Sequence, residues 1–393
     1  MAQDVALWGV AYTDVPEVRV PKQGGGMAAF HDVSDTTASA ADVAQGKLFH
    51  TADGTLTEGT ASGGGGDDGS FKAVIERSGN VTSLPADLTN IGNYAFHSCT
   101  DLAITSLPLG VTSIGLYAFF NCGKLALTSL PPNLVTVRDS AFYQCSKMPL
   151  TSFPSSITSI GSSAFESCHY ITATELPPNI TIIPSRAFYQ CIRLAITSLP
   201  SGLTQIGQEA FRRNDQITID TIPSNVATIG SNAFRGCQKI TSISSSAAIT
   251  TMSTGAFSAD SVANRSSNLT EAHFPNMSVS SLSYVFGNTT ASDACQKLHT
   301  VDVGQTRAIA ANAFANCYQL QTLVLRRSGS ICTLSNVSAF LNTPMRGYNS
   351  QTGTIYVPQA LIETYKTASN WSTIYNAGYL TFAAIEGSPY ELS

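Results

Sequence analysis

The sequence predicts a solenoid of 23-residue coils, and three columns of residues predict it. An Ala-Phe pair returns at Ala95-Phe96, Ala118-Phe119, Ala141-Phe142, Ala164-Phe165, Ala187-Phe188, Ala210-Phe211, Ala233-Phe234 and Ala256-Phe257, each 23 residues after the last. Cysteine follows the phenylalanine by three residues at Cys99, Cys122, Cys145, Cys168, Cys191 and Cys237. Proline keeps the same beat at Pro85, Pro108, Pro131, Pro154, Pro177, Pro200 and Pro223. A strict period of this length marks a repeat in which each coil buries its apolar face only by stacking on its neighbours.

The segment ahead of the repeats, residues 1–62, is of another kind. Ala6–Tyr12 and Val15–Pro21 read as two short strands, Asp35 as the N-cap of a short helix over Ala38–Gln45, and Asp53-Gly54 between Phe49 and Leu56 as a hairpin turn. Its words F-x-D-V-S-D-T-T-A, A-A-D-V-x-x-G-K-x-F and A-D-G-x-L-T-x-G-T, over Trp8 to Thr60, resemble short modules of bacteriophage tail-fibre, baseplate and other appendage proteins. That resemblance implies docking to other virion proteins through residues 1–62, as a homo-oligomer and commonly a homotrimer. The plainer alternative is a small β-rich domain on a bacterial surface protein. Residues 63–70, with Gly63-Gly64-Gly65-Gly66, read as a flexible linker.

Residues 71–345 form the solenoid. Leu102, Leu107, Val111, Ile114 and Phe119 are spaced so that a flattened coil points them all inward, and like residues then lie over like residues at about the strand spacing of 4.8 Å. Proline has no backbone donor and should end the short strand before it. Glycine in the Ile-Gly steps at Ile91-Gly92, Ile114-Gly115, Ile160-Gly161, Ile206-Gly207 and Ile229-Gly230 suits a corner too tight for a Cβ. The composite I-G-x-x-A-F-x-x-C-x-x-L, from about Val81 to Leu341, resembles the BspA-like class of leucine-rich repeat. The expected fold is therefore a leucine-rich-repeat solenoid of α/β type, short strands joined by turns or short helices, preceded by a small β-rich module and closed by a C-terminal cap. One departure leaves the strand register open: threonine (Thr105, Thr128, Thr151, Thr197) stands where the class has isoleucine, and the apolar residue sits one earlier at Ile104, Leu127, Leu150 and Ile196.

After Phe257 the interval lengthens to Phe286, Phe314 and Phe340, with Ser258–Asn276 and Thr289–Leu298 as expected loops. Residues 346–393 form the cap. Gly353–Pro358 and the stretch through Trp371 resemble the terminal segment of BspA-like proteins, and Leu361, Tyr365 and Trp371 are expected to cover the last coil, with sugar stacking on Trp371 the lesser reading.

Composition narrows the function. Charged residues make up 12% of the 393, net charge is −5 and no basic cluster occurs, which argues against nucleic-acid binding. No apolar run approaches the roughly 20 residues of a membrane helix. Met1–Tyr12 lacks a basic leader and a long apolar stretch, so no secretory signal is expected. The nine cysteines show no paired C-x-x-C spacing and read as a buried thiol ladder, not as a zinc site or disulfide framework. The six histidines are scattered, no nucleophile elbow or phosphate loop occurs, and no enzyme activity, cofactor or metal is expected.

Binding then falls to surface columns that vary. The position after each phenylalanine holds His97, Phe120, Tyr143, Glu166, Tyr189, Arg212 and Arg235; two positions after the cysteine column stand Asp101, Lys124, Lys147, Tyr170, Arg193, Gln216 and Lys239. Read as one stripe, they nominate Phe120, Tyr143, Tyr170, Tyr189, Arg193, Arg212 and Arg235 as ligand-binding residues, since tyrosine and arginine carry recognition energy most often; the alternative is a solubilising turn surface. A uniform ladder of Thr105-Ser106, Thr128-Ser129, Thr151-Ser152 and Thr197-Ser198 is the competing face. The expectation is a non-enzymatic virion protein, a tail fibre, baseplate or receptor-binding appendage, whose solenoid adheres to a surface glycan or protein. The alternatives are a capsid decoration or head-fibre protein and a bacterial cell-surface adhesin.

Overall fold

The computed structural model describes residue 84 and residues 86–260 and 266–392, together with six short strands between Gln3 and Glu58. Those strands pair as three antiparallel hairpins: Gln3–Leu7 with Val10–Val15, Val18–Pro21 with Met27–Phe30, and Leu48–His50 with Leu56–Glu58. The single strand expected over Ala6–Tyr12 is thus two strands that fold back on each other, with Trp8-Gly9 between them. The expected helix over Ala38–Gln45, with Asp35 as its N-cap, and the glycine linker lie outside the described residues, as does the Asp53-Gly54 turn, although the strands flanking that turn pair in register.

From Leu88 onward the described chain is a solenoid, and its coils stack in 23-residue register as far as Phe257 and at varied intervals beyond it. Ser113 pairs with Thr136 and Ile114 with Val137, and the same two columns continue through Ser159-Ile160. The core is one continuous cluster with a column of phenylalanines at its centre. Phe96, Phe119, Phe142, Phe165, Phe188, Phe211, Phe234, Phe257, Phe286, Phe314 and Phe340 stack ring on ring, with centroids 5.0–6.0 Å apart and planes within 11° of parallel. This is the offset arrangement that ring quadrupoles favour.

The two long sides of each coil are hydrogen-bonded in opposite senses. On the strand side each coil donates back to the previous one, as in Thr112 N to Thr89 O, Gly115 N to Ile91 O and Arg138 N to Ile114 O. On the phenylalanine side it donates forward: Tyr94 N to Leu116 O, Phe96 N to Ala118 O and Ser98 N to Phe120 O, each 2.7–2.8 Å. The intervening amides close turns, such as His97 N to Tyr94 O. Opposed peptide dipoles cancel along the stack. The forward ladder needs a left-handed residue two before and two after the phenylalanine, and the sequence places ordinary side chains there: Tyr94, Tyr117, Ser140 and Arg186 before, Ser98, Asn121, Gln144 and Arg213 after, all near φ +60°. Each such residue costs about 1 kcal/mol, which the inter-coil hydrogen bond offsets. The corner glycines answer a different need. A Cβ on Gly115 would lie 2.5 Å from Asn93 N, and one on Gly161 2.3 Å from Asp139 N, so close approach to the preceding coil sets the residue there.

The strand expected before each proline is absent from the early coils. In the coils from Cys99 to Asn214 the inward residues stand three, five and eight positions after the cysteine column (Leu102, Ile104 and Leu107 in the first), leaving two adjacent exposed positions such as Thr105-Ser106. A strand alternates its faces, so this spacing cannot form one. From Cys237 on, the middle apolar residue moves to the sixth position (Ile243, Ala272, Val301, Leu323), and there a parallel sheet begins: Ser242–Ser244, Glu271–His273, Thr300–Asp302, Thr322–Val324, Gly353–Val357 and Leu380–Ala384. Glu271–His273 lies inside the expected Ser258–Asn276 loop, because buried Leu269 and Ala272 resume the coil. Thr289–Leu298 holds one 3-10 turn, Ala291–Asp293.

Helices Ile362–Thr367 and Trp371–Asn376 close the end of the stack. Trp371 is fully buried, tilts onto Phe340 at 5.8 Å and donates from Nε1 to Cys332 O at 2.8 Å. Buried Tyr365 accepts from Cys332 N at 2.7 Å, and Leu361 is half-buried against the core. Trp371 thus has no face open for a sugar.

Candidate functional site

The cysteine column is structural. Cys122 Sγ donates to Phe96 O at 2.9 Å, and Cys145, Cys168, Cys191 and Cys237 repeat the bond to the phenylalanine of the preceding coil at 3.0–3.1 Å. None of the nine cysteines forms a disulfide. Burial pushes the Cys145 and Cys191 thiols well above their usual range, which keeps the proton the ladder needs.

The nominated residues fall on two rows, not one stripe. The first row follows the phenylalanines. The left-handed residues on either side turn it outward, and its members stack across coils: His97 on Phe120 at 4.7 Å and Phe120 on Tyr143 at 4.6 Å, both within 4° of parallel. A column that sequence reasoning missed, two residues before each phenylalanine, runs beside it. There Tyr94 stacks on Tyr117 at 5.2 Å, and Tyr117 meets Phe120 edge-on at 5.4 Å. Its signal was the same 23-residue period, hidden by variable side chains. Five partly exposed rings from three consecutive coils therefore form one patch that presents ring edges and phenol hydroxyls.

Further along, the same two columns turn ionic. Arg186 reaches Glu166 at 3.1 Å and Glu209 at 3.2 Å and lies over the Tyr189 ring at 4.5 Å. Arg212 pairs with Glu209 and donates to Asp260 at 3.0 Å, Arg213 donates to Asp260 at 2.7 Å, and Arg235 reaches Asp293 at 3.1 Å. Asp260 is fully buried. Burial alone would raise its carboxyl, but the hydrogen bonds and charges of Arg213 and Arg212 outweigh it and hold the group at about 2. Tyr189, Arg212 and Arg235 thus serve a mostly satisfied, half-buried network.

Tyr170 and Arg193 lie on the second row, five residues after the phenylalanine and beyond the buried cysteine. The Arg193 guanidinium covers the Tyr170 ring at 4.0 Å. The Thr-Ser positions are exposed, and Thr151 Oγ1 donates to Thr128 O at 3.3 Å. Among the described residues no cluster of His, Cys, Asp or Glu could hold a metal ion, and no helix is long and apolar enough to cross a membrane.

The sequence profile of the BspA type leucine rich repeat region, a six-copy unit, matches residues 76–195, 137–263, 166–293 and 263–363. The chain belongs to this family. It is a family of repeat scaffolds, and the match indicates no catalytic family. Curated proteins give no match. Solved structures of similar proteins include a leucine-rich repeat protein from Bacteroides ovatus (19% identity, covering 78% of this chain and 92% of that one, TM-score 0.38). A leucine rich cell surface protein from Faecalibacterium prausnitzii is 21% identical over 84% and 94%, with TM-score 0.39. The pneumococcal vaccine antigen PcpA is 11% identical over 87% and 98%, with TM-score 0.40.

Proposed function

We propose that the chain is a non-enzymatic bacterial cell-surface adhesin, with the BspA-type solenoid as a rigid scaffold and its turn-side columns as the recognition surface. The observation that carries this reading is the patch of Tyr94, His97, Tyr117, Phe120 and Tyr143. The scaffold buries its phenylalanine column, yet here five rings stand partly exposed in register, and such patches mark contact surfaces. Membership of the BspA-type repeat family, matched within residues 76–363, supports the cell-surface reading over the virion one. The ligand is a surface glycan or protein engaged at ring edges, since ring faces are occupied by their neighbours.

The test is attachment of beads coated with the full chain to bacterial and epithelial cells. Replacing Tyr117 and Phe120 together with serine should cut attachment about tenfold or more, the effect of losing hot-spot residues, with little change in thermal midpoint. Undiminished attachment by that variant removes the aromatic patch as the adhesive surface.

A further inference from the structure

The second row carries a charge pattern with a period of its own. Every second coil places an exposed cation on it: Lys147, Arg193, Lys239 and Lys297. None of these four is neutralised within the row. Lys239 Nζ donates to the Gln216 amide oxygen at 2.6 Å, Lys297 Nζ to the Asn268 amide oxygen at 2.9 Å, and Arg193 covers Tyr170, itself 43% exposed. The one cation out of phase, Lys124, is neutralised by Asp101 at 2.7 Å.

These contacts run from one coil to the next, so the side chains form a single file. From Lys239 on, the file is held by the register of the sheet three residues on, where Ser242, Glu271, Thr300 and Thr322 lie side by side; in the earlier coils it is held by the register of the opposite strands, such as Ile182-Ile183 with Gln205-Ile206. Two strand spacings put the cations about 10 Å apart. The positions two residues further along, from Ala103, Ala126 and Pro149 through Thr172, Ala195, Thr218, Thr241 and Thr270, carry no charge. Asp293 and Asp302, the acids nearest Lys297 in sequence, are held by Arg235 at 3.1 Å and Arg326 at 2.7 Å, and Glu271, three residues past Asn268, is engaged by His273 at 3.4 Å. A chain of net charge −5 thus bears, among its described residues, a track of cations with no acidic partner in the row.

We propose that this row is a binding track for a linear acidic polysaccharide with one carboxylate or sulfate per disaccharide. Two pyranose rings of an extended chain span about the length of two coils, ~10 Å at the strand spacing, so successive anions meet successive cations. A nucleic-acid duplex is a poor fit, since the phosphates of each strand recur about every 3.4 Å along its axis. The proposal rests on the adhesive reading and names a ligand class for a second surface, away from the aromatic patch.

The experiment measures binding of the full chain to immobilised hyaluronan, with dextran and single-stranded DNA as the other arms. Hyaluronan should bind, weaken as salt is raised, and exceed both other polymers. Each of Lys147→Glu, Arg193→Glu, Lys239→Glu and Lys297→Glu should weaken it at least about fivefold, the effect of one surface charge facing a polyanion, while Lys124→Glu, which replaces a cation already neutralised by Asp101 at the end of the file, weakens it less. All five positions are exposed, so folding is preserved. Equal binding of dextran or DNA, or a Lys124→Glu loss as large as the others, overturns the proposal. So does absence of hyaluronan binding in a chain whose beads still attach to cells through Tyr117 and Phe120, and that result leaves the adhesive reading standing.

Discussion

The side-chain nitrogen of Asn214 lies 2.7 Å from the carbonyl oxygen of Phe188 and 2.7 Å from that of Phe211, in the place that a thiol fills in the neighbouring coils. Cysteine and asparagine are interchangeable here because each offers a short donor to the same carbonyl. The amide brings a second atom with it: Asn214 Oδ1 is buried without a hydrogen-bond partner. Asn214→Cys should therefore be neutral or stabilising by about 1 kcal/mol, whereas Asn214→Ala removes the donor and should destabilise by about 1–3 kcal/mol. Urea midpoints of the two variants decide it, and an alanine variant as stable as the native chain would show that the ladder has no energetic role.

Phe188 sits between Phe165 at 5.5 Å and Phe211 at 5.7 Å, with the Phe153 ring edge-on at 5.8 Å. No other residue can fill the gap in a core one ring wide. Phe188→Ala should cost about 3–5 kcal/mol, against under about 0.5 kcal/mol for a typical surface change such as Lys147→Ala. Because coils stabilise one another only through their neighbours, unfolding of Phe188→Ala should split into two denaturant transitions. A single transition at an unchanged midpoint would contradict the stacked-column account.

The phenylalanine, cysteine and proline columns were legible because one residue type recurs at one interval and each has a single physical use. Strand placement was not, although Thr105-Ser106 held the clue: two adjacent outward residues cannot belong to a strand. The left-handed positions were hidden because Tyr94, Tyr117 and Arg186 are residues that ordinarily avoid that conformation, and only the stacked hydrogen bonds hold them there. The separation of Tyr170 and Arg193 from the Phe120–Tyr143 row follows from the buried cysteine between the two positions, which turns the chain. Asp260 gave no signal at all, because it reaches Arg213 from 47 residues away, beside an insertion that breaks the period.

Asp260 also sets an acid limit. Its folded-state value is depressed from 3.8 to about 2, so the stability it contributes is fully present above 3.8 and is lost as pH falls through about 2. The contribution at neutral pH is about 2 kcal/mol. Asp260→Asn should be less stable than the native chain by about that amount at pH 7, and the gap should close as pH is lowered from about 4 towards 1. A gap independent of pH would mean that Asp260 acts through shape and not through charge.

Glu166 has the opposite sign. Burial, opposed by a hydrogen bond from Ser163 and the charge of Arg186, raises its carboxyl above the usual value, and its Oε2 has no hydrogen-bond partner. A raised group contributes stability below its unfolded value of 4.5 and loses it as pH rises through the folded value. Glu166→Gln should therefore gain on the native chain between about pH 3 and pH 7, with Arg186 still held by Glu209 at 3.2 Å. Thermal midpoints at the two pH values report the difference, and a variant that loses ground as pH rises would reverse the assignment.

The last coil shows what the cap must do. Phe340 has a phenylalanine on one side only, at 5.6 Å, and Trp371 takes the other at 5.8 Å while its indole nitrogen satisfies Cys332 O. Trp371→Ala opens the end of the apolar column and leaves that carbonyl unpaired, so it should cost about 3–5 kcal/mol. Trp371→Phe restores most of the packing without the donor and should recover all but about 1–2 kcal/mol. Hydrogen exchange should locate the alanine variant's loss in the coils of Phe314 and Phe340, leaving amides near Phe142 protected, since each coil senses only its neighbours. Uniform loss of protection along the whole stack would show that the solenoid unfolds as one unit and that the cap is not a local device.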